Sequence, residues 1–242
     1  MSREVRERAR VTGGRTLEVI AGTPRVNAWY YSKFAARIHG EVLELGSGIG
    51  NISQHLAGDA ARLTVTDVEE PYLDRLRKDF EDAAHVRVRH YDLDAPPPKD
   101  VADRLYDVVI SLNVLEHIED DRRAIRDLIA LLRPGGRLLT YVPAMPLAFG
   151  ALDEALGHHR RYSTATLGAR MREAGLEVER LEYMNAFGLL GWFVNGRIFR
   201  RRGLDPRQVR LFERLVPFVR AEDRVPLPVG LGAICHARKA EG

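Results

Sequence analysis

From residue 41 onward, short β-branched runs alternate with amphipathic stretches of about ten residues, the pattern of βαβ units on a parallel sheet. Val42-Leu43-Glu44-Leu45 predicts a first strand that ends at a glycine turn over 46–50. Ile52–Leu56 predicts the next helix, and Leu63–Thr66 a second strand closing on Asp67. Tyr72–Ala83 reads as a helix, Val86–Tyr91 as a strand closing on Asp92, and Asp107–Leu112 as a strand ending at Asn113. A helix over Arg122–Leu132 is expected to stop at Pro134-Gly135-Gly136, where proline ends it and glycine turns the chain. Arg137–Val142, Leu176–Tyr183 and Gly232–Arg238 complete the strands, with a helix over Ala165–Ala174 between the first two.

Two segments break the rhythm, 143–164 and 185–230. In open α/β sheets a ligand lies outside the carboxyl ends of the strands. Both segments leave from that edge, so they are candidate lids on the acceptor side. Residues 1–40 read as a charged lead-in followed by a helix with aromatic content (Trp29, Tyr30, Tyr31, Phe34), a lid unit before the α/β unit of 41–242.

Composition narrows the picture further. With 45% hydrophobic and 29% charged residues among 242, the chain has the balance of a soluble globular protein. The single cysteine, Cys235, excludes an internal disulfide framework and fits a reducing cytosol. The longest uncharged stretches, Leu138–Leu152 with 15 residues and Tyr183–Gly196 with 14, are too short for a membrane span. The start, MSREVRERAR, is too charged for a signal peptide, so a cytoplasmic location is expected. Basic residues (37) nearly balance acidic ones (34), and no basic stripe interleaved with aromatics marks a nucleic-acid footprint.

The chemistry begins at Glu44-Leu45-Gly46-Ser47-Gly48-Ile49-Gly50. Glycines two apart let backbone turn tightly and approach a ligand. A dinucleotide fingerprint wants glycine at its sixth position, where Asn51 stands, and a P-loop wants a following Lys-Ser or Lys-Thr pair, which is missing. Acids at the strand ends sharpen the reading. Asp67, twenty-one residues after Gly46, suits the two hydroxyls of a ribose. Asp92 suits an exocyclic amine, and Glu44 suits a cationic ammonium while repelling phosphate. Ribose, adenine and positive charge without phosphate describe S-adenosylmethionine. A strand-end aspartate also serves as an ordinary helix cap, and glycines also serve strand–helix packing.

With VLELGSGIG at 42–50, TVTDVE at 64–69, HYDLD at 90–94, YDVVISLNVLEHIED at 106–120 and LLRPGGRLLTYVP at 131–143, the chain resembles the class I S-adenosylmethionine-dependent methyltransferases. The resemblance spans roughly 40–183 and the last strand. It implies a Rossmann-like, doubly wound α/β fold: a mostly parallel seven-stranded sheet with helices on both faces and a helical lid. It also implies that Glu44, Gly46, Ser47, Gly48 and Gly50 line the methionine and ribose portion of S-adenosyl-L-methionine. Asp67 would hold the ribose, Val68 the adenine face, and Asp92 and Leu93 the adenine edge, with Asn113 beside the methionine through its backbone.

An activated methyl needs mainly alignment and a dry site, but a hydroxyl or carbon acceptor usually needs a base or a metal. His117 and the pair His158-His159 are the candidate bases. Asp153–Ser163 (DEALGHHRRYS) resembles the GHxRRY segment of a group of bacterial methyltransferases, and it reads as an acceptor lid using Arg160, Arg161 and Tyr162. Its alternative is a structural turn whose arginines pair with nearby acids. Asp153, His158 and His159 as metal ligands is the weaker version, and no metal is expected. Tyr30 and Tyr31 are read as closing the pocket from the N-terminal side. In 185–230, an apolar run containing Trp192 precedes Arg200-Arg201-Arg202. It reads as a cap or a homodimer contact, or else as an acceptor channel or a peripheral lipid contact. The expected activity is methyl transfer to a small-molecule acceptor (natural product, sugar or lipid-linked metabolite), on oxygen rather than nitrogen or carbon. A nicotinamide-dependent oxidoreductase and a non-catalytic cofactor-binding module are the alternatives.

Overall fold

Apolar side chains at alternate positions fix the centre of the molecule. In the computed structural model, which describes residues 3–241, seven strands form one sheet in the order β3-β2-β1-β4-β5-β7-β6. They are β1 (Glu41–Leu45), β2 (Arg62–Asp67), β3 (Val86–His90), β4 (Tyr106–Leu112), β5 (Leu132–Pro143), β6 (Leu176–Met184) and β7 (Gly232–Lys239). All pairings from β3 to β5 are parallel, and β7 runs antiparallel between β5 and β6. Leu43, Leu45, Val109 and Leu138 bury on one face, Val42, Val108, Ile110 and Leu139 on the other. That period-two split between two cores is what a sheet covered on both sides requires.

The helices are α1 (Arg3–Ala21), α2 (Pro24–Ser32), α3 (Ser53–Asp59), α4 (Glu70–Asp79), α5 (Lys99–Ala102), α6 (Asp121–Leu131), α7 (Ala151–Leu156), α8 (Thr164–Glu173), α9 (Ala186–Phe193) and α10 (Pro206–Val219). Side chains of α6 and α8 (Ile125, Leu128, Leu167, Met171) fill the first core. Trp29 of α2, Leu56 of α3, Leu73 and Leu76 of α4 and Val216 of α10 fill the second. Each such fully buried side chain contributes about 1.5–3 kcal/mol.

Three sequence expectations shift. The charged lead-in is itself helical: α1 runs to Ala21, while residues 1 and 2 lie outside the described part. The helix over 72–83 begins earlier and ends at Asp79, because Pro71 sits in its first turn, where its missing N–H costs nothing. Pro134-Gly135-Gly136 does not terminate α6. The helix ends at Leu131, β5 already pairs at Leu132, and the glycines lie in an irregularity between the Tyr106 and Val108 pairings. Segments 143–164 and 185–230 do leave from the carboxyl edge, since β6 is parallel to β5 through β7. The first sheet reversal, between β1 and β4, opens at that same edge.

Candidate functional site

β1 delivers the chain into a loop whose glycines at 46, 48 and 50 have φ of +60°, +55° and +84°. A Cβ at Gly46 would meet Val114 at 2.6 Å, and one at Gly48 would meet Leu17 at 2.9 Å. Side chains are excluded twice over, by backbone conformation and by space. The Ser47 N–H donates to the Thr66 carbonyl (2.8 Å), tying the loop to β2.

Carboxylates, with no lysine, surround this loop. Glu44 is buried and accepts the hydroxyls of Ser47 (2.8 Å) and Ser53 on one oxygen. Burial pushes its carboxyl up to about 7, against the pull of the two serines. Asp67 accepts the Gly48 N–H (2.8 Å) and the Glu69 N–H (2.9 Å). Burial also raises its pKa, and those N–H groups oppose the rise. Asp67 is therefore both a loop clamp and a helix-start acceptor. Asp92 is half-buried just past β3 and accepts the Asp94 N–H at 2.8 Å. Leu93 is buried and Val68 is exposed beside Asp67. Asn113 ends β4 at φ +55°, with its N–H on the Tyr141 carbonyl at 2.9 Å.

α1 lies across this loop. Leu17 covers Gly48, and the Leu17 carbonyl accepts the Asn51 side-chain amide at 3.2 Å. Arg10 pairs with Glu69 at 3.4 Å. A cavity of about 580 Å³ opens beside α1, bounded by Gly14, Glu18, Tyr72, Leu204 and Pro206. It neighbours the loop without including it.

The chemistry of this cradle fits an uncharged-ribose, cationic nucleoside. Its glycines turn the backbone at positive φ, and the carboxylates of Glu44 and Asp67 accept hydrogen bonds and favour positive charge. The buried carboxylates of Glu44 and Asp67 would repel a pyrophosphate placed against the loop.

A second polar group lies beyond Val114, in the turn after β4 and the segment after β5. Asp153, in α7, is fully buried and collects four bonds, including those that build its own helix start. They come from His158 Nδ1 (2.9 Å), Arg161 Nε (2.8 Å), Trp192 Nε1 (3.2 Å) and the Gly150 N–H (3.0 Å). Burial works to raise this carboxyl, but His158 and Arg161 outweigh it and hold it below the usual range. The Arg161 guanidinium carbon also stands 4.8 Å from the centre of the Trp192 ring. Glu116 is fully buried with neither carboxylate oxygen hydrogen-bonded among the described residues, and its Oε1 stands 3.9 Å from His158 Nε2. Burial raises it to about 7. His117 meets His158 edge-on, ring centres 4.7 Å apart, and burial depresses it to about 3.

The structure therefore gathers His117, His158, Arg161 and Trp192 and parts others from them. His159 is exposed, and only its backbone takes part, donating to the Glu116 carbonyl (2.8 Å). Adjacent residues in an extended turn face opposite ways. Tyr162, expected on the acceptor, is buried with its hydroxyl on Asp121 (2.9 Å) and the Leu115 carbonyl. Arg160 pairs with Asp121 (3.1 Å) and the Glu119 carbonyl (2.7 Å). Both hold the segment in place. Tyr31 faces α3, where its hydroxyl bonds Asp59 and its ring stacks on His55. Tyr30, one residue earlier, bonds the Tyr141 hydroxyl (3.1 Å) and Asn185 (3.0 Å) at the ends of β5 and β6. About 100° per helical residue separates the two. Glu116 escaped the sequence reading. Its only signal is an acid between Leu115 and Ile118, both buried.

Residues 43–138 match the family model described as a methyltransferase domain. A Mycolicibacterium smegmatis protein named "Probable S-adenosylmethionine-dependent methyltransferase" is 31% identical over 178 residues, 70% of this chain and 66% of its own length. The ubiquinone biosynthesis O-methyltransferase of Coxiella burnetii is 31% identical over 97 residues, 40% of this chain and 41% of its own. The chain thus spans about two thirds of the first relative and two fifths of the second. Among solved structures, the [4+2]-cyclase SpnF shares the fold at a TM-score of 0.63 and 21% identity, covering 88% of this chain and 82% of its own. The N-methyltransferase NodS of Bradyrhizobium japonicum, solved with S-adenosyl-L-homocysteine, does so at 0.56 and 17%, covering 88% and 86%.

Proposed function

We propose that this chain, which carries an S-adenosylmethionine-dependent methyltransferase domain, methylates a small-molecule acceptor, with oxygen the favoured atom. The observation that carries the reading is the cradle of Gly46, Gly48 and Gly50 ringed by Glu44, Asp67 and Asp92 at the carboxyl ends of β1 to β3. S-adenosylmethionine supplies a methyl group already activated on a sulfonium. In this reading Glu44 faces the ammonium, Asp67 the ribose hydroxyls, and Val68, Asp92 and Leu93 the adenine. Asn113 offers backbone to the methionine. α1 keeps water from the loop through Leu17.

The acceptor's reacting atom lies, in this reading, beyond Val114, toward Glu116 and His158. His158 is oriented by Asp153 through Nδ1, so Nε2 is the nitrogen turned to a substrate proton. Its weakened basicity makes His117 a poor base. An acceptor of oxygen is supported by this proton-handling group, which an amine would not need, and by the O-methyltransferase relative. NodS, an N-methyltransferase, keeps nitrogen as the alternative. The [4+2]-cyclase among the fold neighbours illustrates that this fold alone does not dictate methyl transfer.

An apolar or lipid-linked acceptor fits the surface around Trp192. α9 has no buried residue, and Phe187, Leu190, Ile198 and Phe199 are exposed. Nearby Arg200, Arg202, Arg207, Arg210 and Arg214 are exposed and make no ion pair among the described residues. Free arginines beside exposed apolar side chains match an anionic lipid surface better than a second copy of this basic face. No helix among the described residues is long and apolar enough to cross a membrane. The test is a panel of hydroxylated and amine acceptors with S-adenosylmethionine, read by mass spectrometry. A methyl gain on one hydroxyl class supports the reading, and no gain with any acceptor in the presence of bound cofactor supports the non-catalytic alternative.

A further inference from the structure

The unpartnered carboxylate in the acceptor-side group is the least explained feature of the molecule. Glu116 is fully buried, and among the described residues both of its oxygens go without a hydrogen bond. A buried polar group left so is costly unless something else satisfies it. Around it stand two imidazoles and the buried Arg161 guanidinium, and one imidazole is already tied at one side. His158 gives Nδ1 to the Asp153 carboxylate at 2.9 Å, which leaves Nε2 toward Glu116 at 3.9 Å. Burial lowers the His117 pKa, and the backbone of Gly157 beside it works the other way. One donor atom from each of Glu116, His117 and His158 lie within 4.8 Å of one another.

We infer that these three side chains form a site for a borderline divalent cation, of which zinc is the reference case. The donor set is two imidazoles and one carboxylate, the composition of catalytic zinc sites that keep a further position open. Metal-ligating histidines almost always give their other ring nitrogen to a carboxylate or backbone carbonyl, and here Asp153 stands in that place for His158. The charge balance agrees. Two carboxylates, Glu116 and Asp153, face one guanidinium, Arg161, so the group has room for added positive charge. The three ligands differ from the set considered from sequence, because His159 is outside and Asp153 supports a ligand instead of being one.

The site stands on these side chains alone, but its role rests on the methyl-transfer reading. An acceptor hydroxyl taking the open position would lose its proton to water more readily. Its oxygen lone pair would then form the O–CH₃ bond as the S–CH₃ bond breaks and that electron pair returns to sulfur. His158 then acts as a ligand, and the acidity of the hydroxyl comes from the cation.

The experiment adds Co²⁺ to chelator-treated full-length protein, followed by Zn²⁺. The expected result is one Co²⁺ per chain with visible ligand-field bands, displaced by Zn²⁺. His117→Ala, His158→Ala and Glu116→Ala should each abolish the bands, whereas His39→Ala, an exposed residue elsewhere, should retain them. Asp153→Asn, which removes no ligand, should weaken binding by about 10–100-fold. S-adenosylhomocysteine titrated into every variant reports whether the fold and cofactor end survive. Unchanged cofactor affinity with lost Co²⁺ bands supports the site. Absence of bands in the wild type under excess Co²⁺, or bands that persist when both histidines are replaced, would overturn it and leave the cofactor reading intact.

Discussion

Replacing Glu44 by glutamine separates what the fold favours from what the cofactor favours. The carboxyl is sealed under the glycine loop, 4% exposed, with Ser47 and Ser53 donating to the same oxygen. Burial lifts it from 4.5 to about 7. A carboxyl raised in the folded state is protonated in both states below its unfolded pKa and costs nothing there. As pH climbs from 4.5 toward 7, the unfolded chain ionises first and stability drains away. At 1.36 kcal/mol per unit, a rise of about 2.5 units removes about 3 kcal/mol by pH 8. Glutamine stays neutral, and its carbonyl can still accept both serine hydroxyls. In urea unfolding, Glu44→Gln should therefore exceed the wild type by up to about 3 kcal/mol at pH 8, shrinking to under about 1 kcal/mol at pH 5. The same variant should bind S-adenosylmethionine more weakly. At pH 7 about half of wild-type molecules carry a proton on Glu44, so pairing with an ammonium should expel up to about half a proton per cofactor. Calorimetry in buffers of different ionisation enthalpy measures that release, and the difference between wild type and variant isolates Glu44 from the cofactor's own amine. A variant no more stable at pH 8, or one that releases as many protons as the wild type, would refute the reasoning.

Further outcomes follow from the same geometry. His158→Ala should lower turnover of an identified acceptor by about 10²–10⁴-fold, while His159→Ala leaves it near wild type; steady-state kinetics on both decides. Gly48→Ala forces a side chain into φ +55° and against Leu17. It should loosen α1 from the loop, read as faster amide exchange in 10–21 and weaker cofactor binding. Replacing Arg200, Arg201 and Arg202 by glutamine should cost about 1 kcal/mol per arginine in binding to phosphatidylglycerol vesicles. Vesicle binding indifferent to those charges and to salt would remove the lipid reading.

The sheet was legible because its central strands are buried on both faces and punctuated by glycine and acid. Val42 to Gly50 states strand and turn in nine residues. The cofactor end was legible for the same reason: Asp67 and Asp92 stand where strands stop, and strand ends can be read from β-branched runs. The acceptor end was not, because its geometry comes from segments folding back across one another. Nothing local tells that Tyr30 and Tyr31 part company, that His158 turns in while His159 stays out, or that Tyr162 serves Asp121. Pro134-Gly135-Gly136 misled for a related reason. Proline predicts a helix stop there, yet Leu132 pairs with Tyr106 on the neighbouring strand. Glu116 shows the limit most plainly, since a lone acid in Leu-Glu-His carries no mark of being sealed among histidines.

The most direct test of the central claim is calorimetric titration of S-adenosylhomocysteine into the wild type and Asp67→Ala, with NADH run in parallel. One site per chain in the wild type is expected. Asp67→Ala should bind at least about tenfold more weakly, as loss of hydrogen bonds to a charged group implies, and NADH should give no binding heat. Equal affinity in the two proteins, or saturable NADH binding without a response to S-adenosylhomocysteine, would contradict a carboxylate-lined nucleoside site.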